Sequence, residues 1–258
     1  MKYWKINEER RIVSLHDNLC DGVYKGDVGG LIPVSCDLPS EDEPLWVAKS
    51  ASIGEGVSIG GWVFIGSYAV VGRFSKIFDY TTIDEGSVIG EYSEIGKGSS
   101  ISKSSSIGAG SVIGWNVRLC DRSIIGDRSI VGCGSVIGEG CVIGCDSVIG
   151  ENTSIGDFSF IGDGCKIGCE AFVGKMAHVG GMSTIGDSCS VSHNSIVHKN
   201  VIIGYDAIIG DGAIVEFGSE VGEKSIVGKN SKIGARNIID ASSIIQDGEI
   251  IHPDPKWH

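Results

Sequence analysis

Ile137-Gly138-Glu139-Gly140-Cys141-Val142-Ile143-Gly144-Cys145-Asp146-Ser147-Val148-Ile149 decides the fold. An aliphatic residue returns every six positions, with a small residue two places before it and glycine directly after it. The phase extends outward from Val47 through Ile53, Ile59, Ile65 and Val71 to Ile251. Those 35 positions are all Val, Ile or Leu, the single Leu being Leu119, and no insertion or deletion breaks the register. The small residue is Ser87, Ser93, Ser99, Ser105 and Ser111 in one run and Cys141, Cys165, Cys189, Ala207 and Ala213 later, sizes that suit a narrow interior beside the aliphatic. The glycine, polar residue and second Gly or Asn that follow suit a turn needing positive φ.

Segments this short cannot bury a face alone, so the chain must coil and stack successive turns on one another. Three hexads per coil give an all-β, single-stranded parallel β-helix of about 11–12 coils, with side chains eighteen residues apart lying on one face. The periodicity leaves the handedness open. The Ile143-Gly144-Cys145-Asp146-Ser147-Val148 pattern resembles the hexapeptide-repeat superfamily, and that resemblance implies a left-handed coil, against the usual crossover rule. It covers about residues 47–252. One fold of this kind hosts many activities, so function has to come from individual sites.

Residues 1–46 lack the hexad and read as an N-terminal cap over the first coil. Their Lys25-Gly26-Asp27-Val28-Gly29-Gly30-Leu31-Ile32 resembles the opening motif of YdcK-like hexapeptide proteins, with Leu31 in place of the aromatic. Residues 253–258, with Pro253 and Pro255, read as a short C-terminal tail across the open end of the last coil.

Composition narrows the function. Forty glycines accord with the repeat, and a formal charge of −12 opposes nucleic-acid backbones and anionic membrane surfaces. The charged N-terminus and the lack of a long apolar run predict a cytoplasmic protein with no membrane segment. Nine cysteines without paired spacing read as free thiols.

The residue before each aliphatic points outward. On one face that position carries Val70, Val88, Ile124, Val142, Phe160, Ile196 and Ile214, too apolar a surface to face water, so this face is expected to pack against other copies. The superfamily resemblance implies a homotrimer with sites between subunits. The other two faces read as more mixed. Trp62, Phe74, Tyr80 and Tyr92 fall at turn corners of the first coils and are expected to receive the cap.

His178, His193 and His198 fall close to the apolar face. His198 and Glu216 stack eighteen apart, a spacing at which a base and an orienting carboxylate can meet, or at which a polar pair can simply sit inside an interface. Val191-Ser192-His193-Asn194 resembles the segment of hexapeptide acyltransferases that carries the catalytic histidine. That resemblance implies His193 as general base, with acyl-CoA or acyl carrier protein as donor to a hydroxyl or amine. His193-Asn194-Ser195-Ile196-Val197-His198 also resembles the zinc motif of γ-class carbonic anhydrases, which implies a His178, His193 and His198 ligand set, although Gly180 stands at the expected third position. A third reading is a non-catalytic β-helix scaffold or binding protein, supported by the uninterrupted repeat and the absence of the pocket-walling loops common in the enzymes.

Overall fold

The computed structural model describes residues 1–17, 19 and 22–253. It is all-β, and its repeats form a parallel solenoid consistent with the left-handed coil that the superfamily resemblance implies. Among the described residues every one of the 35 hexad aliphatics closes a short strand, from Val47 to Ile251. By contacts the chain divides into two compact units, residues 1–122 and 123–258, with the cap in the first and repeat strands in both. The expected tail crossing lies almost wholly outside the described residues.

In the first unit, β1 (Trp4–Ile6), β2 (Arg11–Ser14) and β3 (Val28–Leu31) form an antiparallel sheet, and β4 (Leu45–Val47) opens the solenoid. The Gly29-Gly30 pair of the opening motif has a steric reason. A Cβ on Gly29 would overlap the Val47 carbonyl, and one on Gly30 would lie 2.8 Å from the Ala48 carbonyl. The cap therefore rests on the backbone of the first coil at the two places where it has no side chain. Trp4 adds an indole N–H bond to the Glu43 carbonyl at 2.9 Å.

Three faces repeat every eighteen residues. Face one holds the strands that end at Val47, Ile65 and Ile83, face two those ending at Ile53, Val71 and Ile89, and face three those ending at Ile59, Ile77 and Ile95. Within the second unit the strands again fall on three faces, here numbered by the same eighteen-residue phase, with the one ending at Val191 on face one, at Val197 on face two and at Ile203 on face three. Backbone bonds join each coil to the next, as from the Ile196 amide to the Ala213 carbonyl at 2.9 Å and from the Gly180 amide to the Val197 carbonyl at 2.7 Å.

The interior is a stack of buried aliphatics with the small residues beside them. The small residues do more than fill space. Ser147 Oγ donates to the Gly162 carbonyl at 3.0 Å, Ser219 Oγ to Gly234 at 2.8 Å and Cys189 Sγ to Gly204 at 2.8 Å, each reaching a turn carbonyl on the next coil. No buried side-chain nitrogen or oxygen among the described residues lacks a partner. Turn residues three places past the aliphatic take positive φ, for example Asn194 at 56° and Gly212 at 65°.

Two expectations from the sequence change here. Trp62, Phe74, Tyr80 and Tyr92 are about half exposed, so the cap does not cover them. They stack on one another along the corners instead, Trp62 on Tyr80 at 5.8 Å and Phe74 on Tyr92 at 5.3 Å, pairing that offsets the cost of placing aromatics at positive φ. Face two does expose Val70, Val88, Ile124, Phe160 and Ile196, but Ile202 and Ile238 on face three and Ile208, Ile226 and Ile244 on face one are equally open. Exposure alone does not single out face two. No helix among the described residues is long and apolar enough to cross a membrane.

The eight cysteines among the described residues are all free. Burial pushes the thiols of Cys165 and Cys189 up, whereas Cys169 is exposed on a turn. Mass-spectrometric mapping of iodoacetamide labelling at mild alkaline pH should find Cys169 modified in the native protein and Cys165 and Cys189 modified only in denaturant. Native labelling of Cys165 at the rate of Cys169 would mean that the coil opens at that level.

Candidate functional site

The three candidate histidines lie in the second unit, around face two. His178 points outward from the strand His178–Val179, and its ring stacks on Phe160 one coil earlier, with centroids 4.8 Å apart and planes 14° from parallel. His193 occupies the corner between faces one and two, where its Nδ1 accepts the Lys175 amide at 2.8 Å and its own amide donates to Asp211 Oδ1 at 3.1 Å. The Phe172 and His193 rings meet nearly perpendicular, with centroids 5.9 Å apart and planes at 85°, and with Nδ1 engaged Nε2 is the remaining ring nitrogen.

His193 belongs to a series that the sequence did not reveal. Two places past the aliphatic, Asp157 accepts the Glu139 amide, Asp163 the Cys145 amide, Asp187 the Cys169 amide, Asp211 the His193 amide and Asp247 the Lys229 amide. Each caps a turn amide on the preceding coil, and at 193 an imidazole nitrogen performs the task of a carboxylate. The recurrence of Asp at this one hexad position was the available signal.

His198 stands on the corner between faces two and three. Its backbone is committed, the amide to the Val215 carbonyl at 2.8 Å and the carbonyl to Ser183 Oγ at 2.9 Å, while the imidazole is exposed. Glu216, one coil on, does not hydrogen-bond it. Glu216 Oε1 lies 2.6 Å from Lys232 Nζ and Oε2 accepts the Ala235 amide at 3.0 Å. The Lys232 hydrogen bond, more than its charge, the Ala235 amide or the more distant His198, holds the Glu216 carboxyl below its ordinary range against a partial desolvation. The expected base and carboxylate are thus neighbours whose carboxylate is engaged elsewhere. Lys232 was legible in principle, because it is the outward residue eighteen places after Ile214.

Among the described residues no group of three or more His, Cys, Asp or Glu side chains is placed to hold a metal ion. His178 faces Phe160, and His193 turns its Nδ1 to a backbone amide. The zinc reading raised by the spacing of His178, His193 and His198 has no support in this arrangement. A cleft of about 410 Å³ lies beside the cap, lined by Asp27, Trp46, Lys49 and Phe64 among others.

Residues 134–169 match the family model described as bacterial transferase hexapeptide (six repeats). The chain is built of hexapeptide repeats. Solved structures similar to it include UDP-N-acetylglucosamine O-acyltransferase from Moraxella catarrhalis, at 20% identity over 68% of this chain and 67% of that one, with a TM-score of 0.39. The UDP-N-acetylglucosamine acyltransferase from Bacteroides fragilis matches at 20% identity over 74% and 66%, with a TM-score of 0.39. That from Campylobacter jejuni matches at 18% over 80% and 68%, with a TM-score of 0.34. The hexapeptide-repeat chain thus spans about two thirds of the length of these structures. No curated protein matches its sequence significantly. The YdcK-like resemblance rests on the opening motif alone.

Substitutions at two positions separate the roles of the chain's polar groups. Changing His193 to Ala removes a cap and should cost about 1 kcal/mol, whereas His193→Asp should stay within about 0.5 kcal/mol of the native protein, as measured by chemical denaturation. Equal losses in both would show that the imidazole does more than cap. For Glu216 the folded carboxyl lies lower than the unfolded one, so its stabilisation is present above the ordinary carboxylate range and disappears as pH falls through the lowered folded value. The Tm gap between native protein and Glu216→Gln should therefore be open at pH 7 and close on acidification; a gap independent of pH would contradict the Lys232 pairing.

Proposed function

We propose that this chain transfers an acyl group from a thioester, acyl-CoA or acyl carrier protein, to a hydroxyl or amine, at a site that adjoining copies complete. The observation that carries this reading is the His193 ring, bonded at Nδ1 by the Lys175 amide and packed perpendicular to Phe172, with Nε2 left for a ligand. Pinning a ring in this way pre-organises a catalytic group. It also alters the role that the sequence suggests. With Nδ1 accepting an N–H, the neutral ring carries its proton on Nε2 and donates. His193 then serves the thioester carbonyl oxygen as negative charge gathers there, and not as the general base.

The base is His198, whose exposed imidazole makes no hydrogen bond among the described residues. It takes the proton of the attacking hydroxyl or amine as the new bond to the carbonyl carbon forms, and returns that proton to the thiolate as the carbon–sulfur bond breaks. His193 and His198 flank the strand Ile196–Val197. They stand on the two corners that bound face two, with the outward strand between them, too far apart for both to serve one carbonyl. One copy supplies His193 and the next His198, in a homotrimer packed through the face of Val70, Val88, Ile124, Val142, Phe160, Ile196 and Ile214.

The scaffold reading has one specific observation behind it, that His193 caps an amide as the corner aspartates do. His193→Asp decides between them, because it keeps the cap and removes the imidazole. Release of thiol from acetyl-CoA, with water or a panel of hydroxyl and amine acceptors, should fall about 100-fold or more in His193→Asp and in His198→Ala. Co-assembly of the two inactive variants should restore part of it. Unchanged turnover in His193→Asp, or no turnover in the native protein, would leave the scaffold. Sedimentation at the 27.0 kDa monomer mass would remove the shared site.

A further inference from the structure

The small inner position, two places before each aliphatic, holds Ala, Val, Ser, Thr, Cys or Asn at every level from Ala51 to Ser243. At the last level it holds Glu249, the one charged residue in that column. One coil earlier the same slot is Ser231, which is buried and whose Oγ donates to the Gly228 carbonyl at 2.6 Å. Glu249 is exposed, and its Oε2 accepts the Gln246 amide at 2.8 Å. A carboxylate thus takes the place of a core serine where the repeat stops.

The surroundings give that charge a task. The strands Ile238–Ile239, Ile244–Ile245 and Ile250–Ile251 are the outermost members of the three parallel sheets, and among the described residues no further strand pairs with them. Their outward side chains are 72%, 62% and 56% exposed, against 48% or less for every other outward aliphatic of the solenoid. Flat aliphatic edges of this kind are templates for the strands of another chain. The first coil, by contrast, lies under the cap, where Asp37 bridges Ser58 and Gly29 and Gly30 rest on the Val47 and Ala48 carbonyls.

A strand laid on the final coil would enclose Glu249 beside the aliphatic column, as each coil encloses the serine of the one before it. The carboxylate would lose water, and its one hydrogen bond among the described residues is to an amide of its own turn, so burying it there is costly. An inward-pointing charge is one of the means by which an edge is blunted. We infer that Glu249 closes the final coil to the strands of a second copy, and that without it two copies join end to end through these three edges. The joining stops at a pair, because the cap covers the first coil of each copy. This inference is independent of the proposed transfer, which uses neither Glu249 nor the final coil.

Sedimentation velocity of the full chain over a wide range of concentration tests it, with circular dichroism to check the fold of each variant. Glu249→Ser restores the residue of the earlier coils, and Glu249→Gln keeps the shape and removes the charge. Both should gain a species of twice the native mass as concentration rises, while the native protein and Glu249→Asp keep one mass throughout. Asp247→Ser removes the same charge from the neighbouring outward corner and should behave as the native protein does. A lysine placed on the edge itself, in Glu249→Ser/Ile244→Lys, should return the variant to the native mass. Amide exchange over residues 238–251 of Glu249→Ser should slow as the doubled species forms, with the first coil unchanged. Native mass in both Glu249→Ser and Glu249→Gln, doubling in Asp247→Ser, or fibres in place of a pair would overturn the inference.

Discussion

Each hexad aliphatic packs on the aliphatic eighteen residues away, and the stack this makes tolerates no change of phase. Ile143 on Ile161 and Ile161 on Val179 are buried from water, and one residue more or less between them would turn the aliphatic outward and put its outward neighbour or the turn glycine in its place. Burying a side chain of this size is favourable by about 1.5–3 kcal/mol. Every other feature of the second unit inherits its position from that column, including the corners where the polar chemistry is carried.

The same column explains why the small inward residue is so often Ser or Cys. Backbone bonds join coil to coil along the strands, but a carbonyl at each turn points inward without a strand partner. A hydroxyl or thiol at the small position reaches that carbonyl, as from Ser183 to His198 or from Cys165 to Gly180. An alanine fits the space and leaves the carbonyl to other partners. On the outside of the turn, Asp and His193 do the corresponding work for the amides. The fold thus draws on histidine, cysteine and aspartate for its own satisfaction, residue types that in another context would point to catalysis.

This dual demand bears on function. A capped, edge-packed imidazole is rigid, which suits chemistry, but its tautomer is chosen by the backbone, which restricts the chemistry to donation. The group left free is His198, on the corner that also carries Lys199 and Arg236. Lys232 matters there because it engages the Glu216 carboxylate, which would otherwise be open to His198.

The coil, its register and the outward or inward sense of each residue were legible in the sequence, because a period of six with no interruption leaves one way to bury 35 aliphatics. The nearness of His198 to Glu216 was legible for the same reason. What the tertiary structure decided were the choices among neighbours that spacing leaves equal: Glu216 bonds Lys232 and the Ala235 amide and not His198, His193 turns Nδ1 to the Lys175 amide, and Phe217 gathers Lys199 and Arg236 from two coils. Periodicity determines which residues stand on a face, since that follows from the backbone repeat. Which of them bond depends on side-chain reach and competing donors between coils, and those are set only when the coils stack.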